Sequence, residues 1–155
     1  MRLYTFTNTY LSSIQKAIQT THCAVEMAFN WLPIKEQWDQ YQCWATRHKT
    51  LIVLDGGNQF DLKELLYFFD NTKNRYPYAG FREDEQSLNG CLTCVGIVLP
   101  ASIYEAAWAV REKKIWTDQL KATGFVLSVD PYVEVFYNDW QLELIERLST
   151  YNMAY

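Results

Sequence analysis

Histidine is scarce in this chain, with two in 155 residues, and glycine (six) and proline (four) are few. No apolar run reaches the roughly eighteen residues that a membrane-spanning helix needs, so no contact with a membrane is expected. Short chemical signatures are missing as well. There is no GxSxG, no HExxH and no P-loop ending in Lys-Ser/Thr, which removes the motif-borne serine hydrolases, zincins and P-loop enzymes from consideration. Basic residues are outnumbered, 14 Lys and Arg against 18 Asp and Glu, for a formal charge of −4. Without a basic stripe, strong nonspecific nucleic-acid binding is not expected, although Arg47, His48 and Lys49 make one local patch.

Four cysteines are present, and Cys91 and Cys94 have CxxC spacing. Zinc sites pair two close-spaced ligand couples, and no second couple exists here. Both residues also belong to an apolar stretch, where a free Cys is commonly a small buried hydrophobe. No metal and no cofactor are therefore expected. Arg2 leads into a strand pattern and no apolar signal core follows it, which predicts a cytoplasmic protein with reduced thiols.

Aromatics are abundant: eleven Tyr, eight Phe and six Trp. The length suits one domain spanning residues 1–155 with a real core. Leu3 to Thr7 reads as a strand, followed by a helix from about Ser12 to Leu32 that Ser12 or Ser13 caps and Pro33 stops. Lys35 to Arg47 reads as a second helix with Trp38, Tyr41, Trp44 and Ala45 on one face. Thr50 to Leu54 is a short strand ended by Asp55-Gly56-Gly57, and Asn58 caps a helix through about Asp70. Pro77 to Arg82 is a third strand, Glu83 to Gly90 a polar loop, and Leu92 to Leu99 a nearly all-apolar strand central in its sheet. The fold class is α/β, with a mixed sheet covered by helices. After Pro100, a mainly helical extension (101–155) is expected to pack on the core formed by residues 1–100. It holds a helix from Ser102 to Lys114, strand-like runs within Phe125 to Phe136, and a last helix from Asp139 to about Tyr151 capped by Asn138 with Gln141.

The candidate site lies in the first helix. Gln15, Gln19, His22 and Glu26 fall within about 60° of one another at 100° per residue. Ile14, Ala17, Ile18, Thr21, Ala24, Val25 and Ala28 form the expected buried face beside them. A polar row on that border can place an amide and an imidazole around a small polar ligand or a water, with His22 as a base; the alternative is a histidine satisfied by a neighbouring loop. Asn8 stands at the carboxyl end of the first strand, where open α/β sheets hold ligands, or serves as a turn residue. The run Glu83-Asp84-Glu85 binds a cation or supplies a catalytic carboxylate, or is a solvated loop.

Across residues 2–100 the sequence resembles the type-two (archaeal and eukaryotic) peptidyl-tRNA hydrolases. In that family a strand is followed by a helix carrying Gln-x-x-His, and Gln19 and His22 stand at those positions. Asn8 replaces the family's Asp, Ile14 and Gln15 replace its Gly-Lys with Lys16 adjacent, and Cys91 and Thr93 fit two Thr positions ahead of Val-Gly-Ile-Val-Leu-Pro100. The resemblance implies a four-stranded mixed sheet with helices on both faces. It also implies hydrolysis of the ester between peptide and tRNA without a metal. In that implied site His22, Gln19 and Thr93 are catalytic, and Asn8, Gln15, Lys16, Glu83 and Asp84 bind peptidyl-tRNA. The departures at Asn8 and Gln15, with the apolar stripe of the last helix (Trp140, Leu144, Ile145, Leu148), leave a second reading. In it the fold is retained without catalysis, and the extension binds a protein partner or a second copy as a homodimer.

Overall fold

A computed structural model describes residues 1–112 and 137–154. Two compact units result, one formed by residues 1–99 with 152–155 and the other by residues 100–151. The first is an α/β layer. Its strands are β1 (Arg2–Thr7), β2 (Leu51–Asp55), β3 (Tyr78–Arg82) and β4 (Leu92–Leu99), in the spatial order β2-β1-β4-β3. β1 and β2 are parallel, as the helical crossover between them requires, whereas β4 runs antiparallel to both β1 and β3. Every residue of β4 is buried, as its unbroken apolar run predicts for a central strand.

Alternation along β1 separates the two faces. Thr5 points to one face, where its hydroxyl lies 3.2 Å from that of Thr20 in α1 (Ser13–Trp31). Phe6 points to the other face and meets Phe69 of α3 (Gln59–Phe69) at 6.0 Å between ring centroids. Helices thus cover both sides of the sheet. α1 approaches β4 closely because Gly96 has no side chain: a Cβ there would lie 3.0 Å from Cys23 Sγ and 3.4 Å from Met27 Cε. α2 (Lys35–Cys43) ends in a π-helical turn, Trp44–His48, that closes at Lys49 in the left-handed region (φ 55°). Its expected aromatic face forms, with Trp38 stacked on Tyr41, Tyr41 edge-on to Trp44, and the Tyr41 hydroxyl donating to Ala24 O of α1 (3.0 Å). Burial pushes the Tyr41 hydroxyl pKa up, and the nearby Cys23 adds to the shift.

The orientation of α1 corrects the sequence reading. Its buried residues are Lys16, Gln19, Thr20, Cys23 and Met27, whereas Ile14, Ile18 and Val25 of the expected apolar face are exposed, with Phe29 beside them. At 100° per residue the exposed line lies about 180° from the line Lys16, Thr20, Cys23 and Met27. Hydropathy alone assigned the wrong face, because the sheet beneath α1 accepts small and flexible side chains at Thr5 and Gly96. The loop Glu83 to Gly90 is also corrected: it contains a helical turn, α4 (Glu85–Leu88), capped by Asp84.

Cys23 and Cys94 are wholly buried and free, while Cys43 and Cys91 are partly exposed. The Cys23 thiol is pushed well above the ordinary range, by its hydrogen bond with Cys94 first and by burial second. Because the thiolate is the nucleophile, native protein at pH 8 should be alkylated by iodoacetamide at Cys43 and Cys91, with Cys23 and Cys94 reacting only after unfolding. Peptide mapping before and after denaturant reads this directly.

The second unit contains α5 (Ala101–Arg111) packed against α6 (Asp139–Thr150). Tyr137 donates to Ser102 O (2.8 Å) and Arg111 to Tyr151 O (3.0 Å). The capping box of Asn138 and Gln141 forms as its spacing predicts. Asn138→Ala should cost about 1 kcal/mol, read as a shift in denaturation midpoint. The stripe Trp140, Leu144, Ile145 and Leu148 is buried, so it is not an open docking surface. The strand-like runs expected within 125–136 lie outside the described residues. After α6 the chain returns to the first unit. Asp55 N–H donates to Asn152 O (3.0 Å), Ala154 N–H donates to Val53 O (3.1 Å), and Leu54 bridges Met153, which occupies the outer edge of β2.

Candidate functional site

Strand directions decide what meets. The carboxyl ends of parallel β1 and β2 lie at one end of the sheet, with the start of antiparallel β4 and the end of β3. Asn8, Asp55, Thr93 and Glu83 therefore converge there, under the first turns of α1. Asn8 N–H donates to Thr93 O (3.0 Å), and its side-chain Oδ1 accepts from Tyr10 N–H (3.0 Å). The Asn8 side chain is thus engaged in the turn that leads into α1.

Asp55 is the anchor of this end, which the sequence marked only as the first residue of the loop Asp55-Gly56-Gly57. Its carboxylate accepts the Thr9 hydroxyl and the Gly57 N–H (3.0 Å). The Thr9 hydrogen bond chiefly holds the Asp55 carboxyl below the ordinary carboxylate range, aided by Gly57 N–H and the positive charge of Lys16. Gly57 sits at φ 77°, where a side chain is strained. Asp55 followed by two glycines, at the end of a strand parallel to β1, was the available signal. A carboxyl whose pKa is lowered by folding stabilises the protein above its unfolded pKa, and that contribution is lost as pH falls through the lowered value. Thr9→Val removes the largest cause, so the Asp55 pKa should rise toward the ordinary value near 3.9 and the loss should begin at higher pH. A carbon-detected NMR titration of the Asp55 carboxyl checks it; an unmoved midpoint contradicts the contact.

The second cluster surrounds Gln19. Gln19 is 7% exposed, its Nε2 donates to Glu83 Oε1, and its Oε1 is buried without a partner. Lys16, one turn earlier, is equally buried. One turn later, His22 lies on the exposed side of α1 and stacks on Phe81 of β3, with centroids 4.6 Å apart and planes 14° from parallel. Thr93 is buried and its hydroxyl donates to Phe81 O (3.5 Å). Structure thus brings together Gln19, His22, Glu83 and Thr93 around Phe81, whereas Lys16, one turn before Gln19, acts by its charge on Asp55.

It does not bring in Gln15 or Asp84. Gln15 Oε1 accepts from Ser12 N–H and Ser12 Oγ (both 2.9 Å), a capping box at the start of α1. Asp84 is exposed and caps α4, and the Ser87 N–H lowers its pKa most. Both were expected to bind substrate, and both are committed to helix ends. Among the described residues, no group of three or more His, Cys, Asp and Glu side chains is assembled to hold a metal ion, and no helix is long and apolar enough to cross a membrane.

Chemically, this end of the sheet offers a buried amide carbonyl in need of a donor, a carboxylate fixing that amide, an imidazole one turn away, and a lysine near Asp55. No protein-family model matches the sequence, and no curated protein matches it.

Proposed function

We propose that the chain is a peptidyl-tRNA hydrolase-like enzyme that cleaves the ester between a peptide and the tRNA 3′ ribose. The observation that carries this reading is the buried Gln19 Oε1 with no donor, one helical turn from His22. A buried acceptor left unpaired costs about 1–3 kcal/mol, which a bound water or substrate hydroxyl would recover. Gln37 and Gln40 of α2 have similar orphan oxygens, but neither is among the residues gathered around His22. The element order β-α-α-β-α-β-α-β and the sheet it builds support the same reading.

In this mechanism Gln19 Oε1 accepts a hydrogen bond from the attacking water, and Glu83 fixes the amide so that its oxygen faces the water. His22 takes the second proton as the water oxygen bonds to the ester carbonyl carbon. The bond from that carbon to the ribose 3′ oxygen breaks, and the proton passes from His22 to the leaving oxygen. The products are a free tRNA hydroxyl and a peptide carboxylic acid, which gives the water's remaining proton to solvent and leaves as the carboxylate. Lys16 supplies positive charge beside the site. Incubation of the intact chain with N-acetyl-aminoacyl-tRNA should release N-acetyl amino acid well above the uncatalysed rate. Affinity for the tRNA should fall steeply as salt rises. Background release at every enzyme concentration would remove the proposal.

A second reading rests on the outer face of α1. Ile14 and Phe29 are exposed by 75% and 72%, with Ile18 and Val25 between them. An apolar line of this length is what a fold retained as a protein-binding or oligomerising module would present. Light scattering on the wild type and on Ile18→Glu distinguishes it: an assembly that this substitution disperses favours the module.

A further inference from the structure

The sheet's two outer edges are treated differently. That of β2 is occupied by residues 152–154 of the same chain, whereas that of β3 opens into a groove of about 680 Å³. One wall is the end of α1 and the residues after it, with Trp31 and Ile34; the other is α3, with Leu66 and Tyr67. β3 is the floor. Val98 N–H donating to Pro77 O (2.9 Å) sets the phase of the β3–β4 pairing. Backbone groups of alternate residues then face opposite ways, so Ala79 faces β4 while Tyr78 and Gly80 face the groove. Tyr78 O is met there by Trp31 Nε1 (2.6 Å), and the next outward position, Gly80, presents an N–H and a C=O with no side chain between them and an incoming strand.

Charge is arranged along the groove. The Tyr78 hydroxyl donates to Asp70 Oδ1 (2.6 Å), and Asp70 ends α3, so the two elements run oppositely. Lys63 of α3 and Arg82 of β3 therefore share the far end, and both are exposed. A chain with a net charge of −4 thus carries a locally cationic groove end beyond an apolar floor and walls.

We infer that the outer edge of β3 binds an extended, apolar peptide segment that adds to the sheet and places a carboxylate between Lys63 and Arg82. Main-chain hydrogen bonds to β3 supply the affinity that strand addition usually has, and the two walls receive alternate side chains. The cationic end favours an acidic group by charge complementarity. A second copy is a poorer occupant. Its own β3 is the floor of an identical groove, and two such floors, each between projecting helices, cannot approach to the roughly 4.8 Å at which strands pair. The protein supplies its own precedent at β2, where an extended segment completes the opposite edge. The inference is independent of the hydrolytic reading, since none of these groove residues is in the Gln19–His22 cluster.

The test is fluorescence anisotropy on the full chain with two labelled pentapeptides, Val-Ile-Val-Leu-Asp and Asp-Val-Ile-Val-Leu, which cover both strand directions. At least one should bind saturably. Methylating alternate backbone nitrogens of that peptide should abolish binding, and replacing its Asp by Lys should weaken binding at least tenfold. The Lys63→Glu, Arg82→Glu double variant should lose the acidic peptide by at least tenfold and bind the Lys-ended one more tightly than wild type does. No saturable binding of either peptide, or indifference to backbone methylation, would overturn the proposal without recourse to any variant. So would a concentration-dependent dimer that the double substitution disperses, because the groove would then belong to a second copy.

Discussion

Met27→Ala should destabilise the first unit by about 2–5 kcal/mol, whereas Ile14→Ala should change its stability by less than about 0.5 kcal/mol. Met27 has no exposed surface and its Cε reaches the position above Gly96 where no side chain fits. Removing it leaves a void between α1 and β4, beside Leu3, Ala79 and Val98 of the same core cluster, that rigid strands cannot close. Ile14 is exposed by 75% on the far side of the same helix, so its truncation removes little packing. Urea denaturation of both variants, followed by far-ultraviolet circular dichroism, gives the two midpoints. A large loss at Ile14 with a small one at Met27 would mean that α1 is rotated by half a turn from the orientation described.

That pair of values concerns the part of the fold hardest to read from sequence. α1 has two candidate inner faces: one rich in Ile and Val, the other made of Thr20, Cys23 and Met27 with Lys16 and Gln19 at its start. Hydropathy prefers the first. The deciding factor is non-local, because β1 presents Thr5 and β4 presents Gly96, leaving a shallow seat that takes a thiol and a hydroxyl better than a branched side chain. β4 was legible because its nearly all-apolar run of eight residues leaves no polar face, and α3 because Asn58 caps it as expected. Asp84 escaped reading as a cap, because an acidic run looks the same whether it is solvated or ends a helical turn.

Gln19→Ala and His22→Ala should each lower peptide release from peptidyl-tRNA by on the order of a hundredfold, about 2.7 kcal/mol in the barrier. Gln19 is buried and hydrogen-bonded to Glu83, so its loss removes the oriented acceptor and leaves the Glu83 carboxylate without that amide. His22 is exposed and stacked on the Phe81 ring, so His22→Ala should leave the fold intact while the rate falls. Comparing denaturation midpoints with rates separates the two effects: for His22→Ala the midpoint should hold and the rate should drop. Unchanged rates in both variants would detach these residues from the chemistry.

The site was legible to the extent that helical spacing placed Gln19 and His22 one turn apart. Their different surroundings were not, because Gln19 turns under the helix onto Glu83 while His22 turns outward over Phe81. Glu83 is the partner of Gln19 and Lys16 is buried one turn before it, while Gln15 and Asp84, both assigned to substrate, are helix caps. The side-chain role of Asp55 was not legible in its loop, because it arises from the parallel pairing of β1 and β2, which brings it to Thr9 across 46 positions of sequence.

The central claim is that the Gln19–His22 edge of α1 receives a ligand at the head of the sheet. Titration of isotope-labelled protein with adenosine bearing an N-acetyl amino acid through a non-hydrolysable 3′-amide tests it most directly. The Gln19 side-chain amide and His22 imidazole resonances are predicted to shift together and to saturate. If both stay fixed at saturating analogue, or the shifts gather only at residues remote from this edge, the claim is contradicted.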